Sequence, residues 1–187
     1  MSMKLKKFKI VQSTNNEAIK LIKKDLTNPT FIHTKMQTKG RGTMGKKWIS
    51  NKGNLFLSIF FKFNPKKINF RQHAILNACL IKKILTKYSF KKINIKWPND
   101  LLIEKKKVCG ILQEVIEHKE KKFLIVGIGI NTNTAPKNIN FKSSCLKEFS
   151  KKKIDNIKIL KDIRKYYEQF IKDINNHHFK TLKRKMI

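Results

Sequence analysis

Apolar and polar positions alternate over residues 7–12, which predicts a strand. Thr14-Asn15-Asn16-Glu17 follows with the spacing of a capping box, Thr14 as N-cap. Ala18, Ile19, Leu21, Ile22 and Leu26 continue it as a short amphipathic helix that Asn28-Pro29 breaks. Residues 30–35 read as a strand, 39–54 as a glycine-rich polar stretch, and 55–63 as a long apolar run suited to a buried strand. Phe70, Ala74, Ile75, Ala78, Ile81, Ile84, Leu85 and Tyr88 recur at helical spacing. Residues 93–97 alternate and stop at Pro98. Residues 101–103 and 108–116 flank a basic turn at Lys105-Lys106, which predicts a hairpin. A charged turn over 118–122 leads into a further strand, 123–130. Residues 139–153 are polar and weakly patterned. Ile157, Leu160, Ile163, Tyr167, Phe170, Ile171 and Ile174 form a last helical stripe, and His177-His178 reads as its solvated end. Strands joined mostly by hairpins, with helices inserted, predict an α+β domain.

The length of 187 residues suits one domain, and a 40% hydrophobic share is enough for a core. No apolar run approaches the ~18 residues of a membrane span, and the basic N-terminus has no apolar stretch behind it, so neither membrane insertion nor secretion is expected. Cys79, Cys109 and Cys145 are far apart and odd in number; they make neither a disulfide framework nor a metal knuckle, which points to the reducing cytoplasm. The net charge of +32 changes the picture less than its size suggests. Only four of the 44 basic residues are arginine, the preferred reader of phosphate and base edges. The lysines run along the whole chain with many Asn and Ile, as a general compositional bias would produce. No acidic residue lies between Asp25 and Asp100, so the first half offers a positive surface to an anionic ligand.

Gly40, Gly42 and Gly45 match the dinucleotide fingerprint, but that pattern needs a helix next and an acid about 20 residues on, and neither follows. Gly40 with Gly45-Lys46 matches most of a P-loop, but Lys47 stands where the magnesium-binding Ser or Thr belongs. Both readings fail. What remains is a flexible segment with exposed amides, flanked by Arg41, Lys46 and Lys47, suited to phosphate or carboxylate. A second cluster begins at Lys96-Trp97-Pro98-Asn99-Asp100, where a strand ends. Lys107 comes seven residues after Asp100, followed by Gly110-Ile111-Leu112 and Glu114, and a hairpin there would return Lys107 beside Asp100. Gly127-Ile128-Gly129-Ile130-Asn131 closes a later strand.

Taken in this order, these residues resemble the biotin protein ligase family. The matching segments are Ser13-Thr14-Asn15, Gln37, Gly40 to Gly45 with Trp48, Lys96 to Asp100, Lys107 with Gly110 to Leu112 and Glu114, and Gly127 to Asn131. The resemblance implies a mixed, largely antiparallel sheet flanked by helices, as in class II aminoacyl-tRNA synthetases. It implies a catalytic domain over 1–180 and a basic C-terminal tail over 181–187, with neither an N-terminal helix-turn-helix nor the small C-terminal barrel of many members. It also implies a two-step reaction: biotin and ATP give biotinyl-5′-AMP, which acylates one lysine of a biotin carboxyl carrier protein.

By position, Ser13, Thr14, Asn15 and Gln37 match residues that hold biotin's polar ring, with Gly42 and Thr43 in the same flap. Arg41 and Lys107 match residues that grip carboxylate and phosphate, and Gly110 matches a pocket wall that a side chain would block. Lys46, Trp48 and Asn131 fall on the ATP side. Asp100 is the candidate for orienting the attacking amine or holding Mg2+; no metal-ligand set is otherwise identified. Thr43 departs from the arginine the family usually has there, which would loosen retention of the adenylate. The resemblance further implies no specific DNA binding and a possible homodimer. A lipoate- or octanoate-type acyl ligase of the same fold, and a non-enzymatic polyanion-binding protein, are the competing readings.

Overall fold

The computed structural model describes residues 2–137 and 141–186. Seven strands, β1 (Lys4–Val11), β2 (Thr30–Gln37), β3 (Leu55–Lys62), β4 (Ile93–Lys96), β5 (Asp100–Ile103), β6 (Lys106–His118) and β7 (Lys121–Ile130), form one sheet in the order β1-β2-β3-β7-β6-β5-β4. The β1–β2 pair is parallel and every other pair antiparallel. Four helices flank it: α1 (Thr14–Lys23), α2 (Phe70–Leu85), α3 (Asn156–Asn176) and α4 (Phe179–Met186). The mixed, largely antiparallel α+β architecture is the one expected.

Alternation along the strands sorts side chains between two cores. Leu55, Leu57, Ile59 and Phe61 of β3 and Leu124, Val126, Ile128 and Ile130 of β7 pack with α2, α3 and α4 in the larger core. The opposite face carries a smaller cluster under α1: Phe60, Phe123 and Ile125 with Ala18, Ile22 and Ile32. Farther along that second face the bulk drops away at Ser58 and over β6 and β7, although Phe56 beyond Ser58 is again fully buried. Phe60 gives way to Ser58 on β3, and Phe123 and Ile125 give way to Gly127 and Gly129 on β7. On β6, Ile116 gives way to Gly110. The glycine patch this leaves on β6 and β7 sets aside volume for something else.

Several local expectations change. The capping box at Thr14 does not form: Ser13 is the N-cap of α1 and makes no side-chain capping hydrogen bond. The Thr14 hydroxyl instead donates to Gln37 Oε1 at 3.1 Å. A real capping box starts α2, where Asn69 and Gln72 exchange side-chain and backbone hydrogen bonds. The β5–β6 turn lies at Glu104-Lys105, one residue earlier than expected, and the β6–β7 turn at Lys119-Glu120. All four of these residues have positive φ, the geometry of two-residue hairpins even though neither turn has the usual Asn-Gly. The stretch read as a basic tail is part of α4, whose Leu182 and Met186 are buried against the larger core. Asn138, Ile139 and Asn140, the last two within or beside the weakly patterned segment, lie outside the described residues, as do Met1 and Ile187. Cys79, Cys109 and Cys145 are free and buried, and burial pushes all three thiols up from their ordinary range. No helix among the described residues is long and apolar enough to cross a membrane.

Candidate functional site

A cavity of about 80 Å³ opens on the glycine patch of the second sheet face. Its floor is Gly110, Gly127 and Gly129, its end wall the start of α1, and its lid the segment 40–48. That segment is a small hairpin-like flap. Trp48 N–H donates to Gly40 O at 2.9 Å, Gly42 N–H donates to Lys46 O at 2.7 Å, and Arg41 bridges Lys47. Met44 is at the tip, 94% exposed. The flap folds back so that Trp48 lies flat on the floor; a Cβ on Gly129 would fall 2.4 Å from the indole, and one on Gly110 would fall 2.6 Å from it. A side chain at Gly110 would therefore run into Trp48.

The end wall is a hydrogen-bond circuit. Thr14 N–H donates to Gln37 Oε1 at 2.8 Å, and Gln37 Nε2 donates to Ser50 Oγ at 3.1 Å. Ser58 Oγ lies 2.5 Å from Asn15 Oδ1 and 2.7 Å from Thr14 Oγ1, close enough for its single proton to serve one of them. Asn15 Nδ2 donates to Glu114 at 2.7 Å and to Leu112 O at 3.4 Å. Asn15 and Gln37 thus spend their amides inside the protein, whereas Ser13 keeps its hydroxyl out of the cap and lines the cavity.

Two ion pairs bracket the cavity. Arg41 meets Glu114 through two nitrogens, at 2.6 and 3.2 Å. Lys107 Nζ sits 2.7 Å from Asp100 Oδ1, a close charge contact that is not aligned as a hydrogen bond. Both partners are largely shielded, with side chains 17% and 19% exposed. The hairpin return that the spacing predicts is what joins them. Lys107 Nζ also stands 5.3 Å from the Trp48 ring centre and 5.2 Å from that of Phe141, within cation–π range. A β-bulge between Leu101 and Leu102 shifts the β5–β6 register at this point, so that Lys107 and Gly110 line the same cavity although three residues apart.

Beside the first cavity lies a second, lined by Trp48, Ile49, Lys107, Asn131, Pro136 and Phe141. Two buried polar atoms on its lining residues, Trp48 Nε1 and Asn131 Oδ1, have no hydrogen-bond partner among the described residues, and Nε1 lies over Gly129 on the floor of the first cavity. Natural proteins rarely leave such atoms unsatisfied, and a ligand with donors and acceptors would complete them.

Of the residues singled out from sequence, Ser13, Thr14, Asn15, Gln37, Arg41, Gly42, Thr43, Lys46, Trp48, Lys107 and Gly110 all line the first cavity. Asn131 lines the second. Asp100 lines neither and stands behind Lys107 as its counter-ion. The Mg2+ expectation for Asp100 finds no supporting donor set: no group of three or more His, Cys, Asp or Glu side chains among the described residues could hold a metal. Sequence reading missed Ser58, whose signal was a lone hydroxyl in phase with Phe56 and Phe60 in an apolar run. It also missed Phe141, which no local pattern marks.

The family model for the biotin/lipoate A/B protein ligase family matches residues 8–131. The bifunctional ligase/repressor BirA of Bacillus spizizenii is 29% identical over 180 residues, covering 93% of this chain and 55% of the relative. The acetyl-CoA-carboxylase biotin ligase of Paracoccus denitrificans is 31% identical over 127 residues, covering 66% of this chain and 52% of the relative. The chain thus spans about half the length of these curated relatives. The biotin protein ligase of Aquifex aeolicus, solved in complex with biotin and ATP, superposes with a TM-score of 0.80 at 32% identity, covering 98% of this chain and 76% of that one. A lipoic-acid-bound protein from T. acidophilum, at 8% identity and a TM-score of 0.67, shares the fold alone.

Proposed function

Because the chain belongs to the biotin/lipoate A/B protein ligase family, we propose that it joins biotin to a lysine of a biotin carboxyl carrier protein at the expense of ATP. In the first step an oxygen of the biotin carboxylate attacks the α-phosphorus, the bond to the bridging oxygen breaks, and pyrophosphate leaves. In the second, the neutral lysine amine attacks the acyl carbon of biotinyl-5′-AMP, the bond to AMP breaks, and the amine's surplus proton passes to water.

The observation that carries this reading is that Lys107 lines both cavities. One is lined by Ser13, whose hydroxyl is not spent on the helix cap and suits a polar ring, beside Thr14 and Gln37; the other is lined by Trp48 and Asn131, whose orphaned polar atoms suit a nucleotide base. An ammonium on their common wall is where a carboxylate and an α-phosphate, both anionic, would have to meet, and it offsets their repulsion. Arg41 and Lys46 add charge from the flap, Gly42 and Thr43 lend the flap's backbone, and Gly110 keeps the floor flat. Asp100 holds Lys107 in place. Mg2+ belongs to this reading as a companion of the nucleotide phosphates, whose oxygens together with water supply most of its ligands.

At about 80 Å³ the first cavity is smaller than the roughly 300–1,000 Å³ of ligand pockets, so the Trp48 indole must swing off the floor to admit the acid. The acceptor's class follows the name of the Paracoccus relative, which ties biotin to acetyl-CoA carboxylase. The word repressor in the name of the Bacillus relative describes that longer protein, and DNA binding forms no part of this proposal.

The test is pyrophosphate release with biotin and MgATP, followed by mass spectrometry of an added carrier domain. The chain should release pyrophosphate and add one biotinyl group, and Lys107→Ala should lower the rate at least a hundredfold. Release with lipoate or octanoate and none with biotin would move the reading to an acyl ligase of the other branch. No release with any of them, alongside tight polyanion binding, would end it.

A further inference from the structure

We infer that Glu114 is the positioning residue of the site, a carboxylate that locks the flap to α1 and so pre-forms the wall against which the acid binds; the inference rests on the biotin ligase reading. Glu114 stands on β6 between two otherwise separate segments. Its Oε1 accepts from Arg41 Nη2 at 2.6 Å, and its Oε2 accepts from Arg41 Nη1 at 3.2 Å and from Asn15 Nδ2 at 2.7 Å. Arg41 Nη1 also donates to Asn16 Oδ1 at 2.8 Å, so one guanidinium ties β6, the flap and the first turn of α1 together.

The geometry is a two-point fork between a planar cation and a carboxylate, which fixes direction as well as distance. Its environment is half-shielded, with Arg41 40% and Glu114 22% exposed, so water weakens the pair without abolishing it. A guanidinium has five N–H donors, and the bonds named here use three, so the locked Arg41 keeps donors for an incoming anion. Glu114 also settles which way round the Asn15 amide sits. With Nδ2 claimed by Glu114 and Leu112 O, Oδ1 is left to accept from Ser58. One carboxylate therefore orients both a flap cation and the amide on the cavity's end wall.

Glu114→Gln keeps the side chain's shape and removes its charge, and Arg41→Gln opens the same lock from the other side. Biotin affinity without ATP, measured by calorimetry, isolates binding from chemistry. Glu114→Gln should weaken biotin about tenfold, Arg41→Gln at least as much, and the double variant should be no weaker than Arg41→Gln alone. In turnover, KM for biotin should rise while kcat at saturating biotin in Glu114→Gln stays within about twofold of the parent, a split that general misfolding would not produce. Limited trypsin digestion of the ligand-free protein, with the cut sites read by mass, should show faster cleavage at Lys46 and Lys47 in both variants. If Glu114→Gln binds biotin as tightly as the parent or more tightly, or if the losses multiply in the double variant, Glu114 is a bystander or a competitor for Arg41, and the inference falls. If the parent binds no biotin, the ligase reading fails on its own, and unchanged flap cleavage in Glu114→Gln would still overturn the lock.

Discussion

A methyl group on Gly127 is the smallest perturbation that should reach the whole end wall. Gly127 pairs with Ser58 on one side and Leu112 on the other, and Asn15 lies across all three. A Cβ at 127 would fall 2.2 Å from Asn15 Oδ1 and 2.9 Å from its Cγ, well inside contact distance. β7 is held between β3 and β6, so the backbone has little room to retreat and Asn15 must move. Overpacking of this kind costs roughly 1–3 kcal/mol. Displacing Asn15 also loosens its bonds to Ser58, Leu112 O and Glu114, each worth about 1 kcal/mol net. Gly127→Ala should therefore destabilise by about 3 kcal/mol, lowering Tm by about 6–12 °C in a chain of this size. It should also weaken biotin binding. The assay is a double-mutant cycle by calorimetric melting. Asn15→Ala removes all three atoms the methyl would strike, so Gly127→Ala added to it should cost less than about 1 kcal/mol. Equal costs in both backgrounds would show that the methyl acts through something other than Asn15 and refute the argument.

Two further predictions concern a buried histidine and the flap. His73 is buried among the rings of Phe61, Phe63 and Phe170, and burial lowers its pKa to about 4 from the 6.5 of an exposed imidazole. The unfolded chain then binds more protons between those values, so stability is full above pH 6.5 and falls as pH drops towards 4, by up to about 3 kcal/mol. His33, pushed down by burial and by Lys7 and Lys35, adds to the fall. Urea melts at pH 7 and 4.5 should show it, and His73→Phe should flatten it; an unchanged slope would exclude His73 as the cause. Thr43 lines the first cavity beside Arg41 and Lys46, so on the proposed function an added cation in Thr43→Arg should slow the release of biotinyl-5′-AMP in a filter-retention time course. Release no slower than in the parent would mean that Lys46 already fills that role.

What was legible from sequence followed from period. The apolar runs of β3 and β7, the helical stripes of α2 and α3, and the hairpin around residues 104–105 could be read because side-chain direction repeats every 2 or 3.6 residues. What failed were choices settled by distant partners. Thr14 and Glu17 have the right spacing for a capping box, but Gln37, 23 residues away, takes the Thr14 hydroxyl and Lys20 takes Glu17. The turns at Glu104-Lys105 and Lys119-Glu120 were legible from the strands around them, but the one-residue shift of the first was not: neither carries Asn-Gly, and both adopt positive φ because the flanking strands fix the register. Residues 181–187 showed in sequence only as a basic tail, yet Leu182 and Met186 four residues apart are enough to dock α4 against the core.

The same reasoning explains how Lys107 reaches the site. In an unbroken strand it would share a face with Cys109 and Ile111, which belong to the larger core. An ammonium held there without a partner would cost several kcal/mol, far more than one disrupted rung of the ladder. The register therefore slips at this point, and Val108 and Cys109, adjacent in sequence, are both buried in the core. Lys107 is released towards Asp100 and the cavity, while Gly110 stays in phase with Leu112 along the floor. A charged residue in phase with the core, followed by two consecutive apolar residues and a glycine, is thus a readable sign of a bulge. In this chain the cost of burying a charge sets the backbone irregularity, and that irregularity puts the amine on the wall between the two cavities.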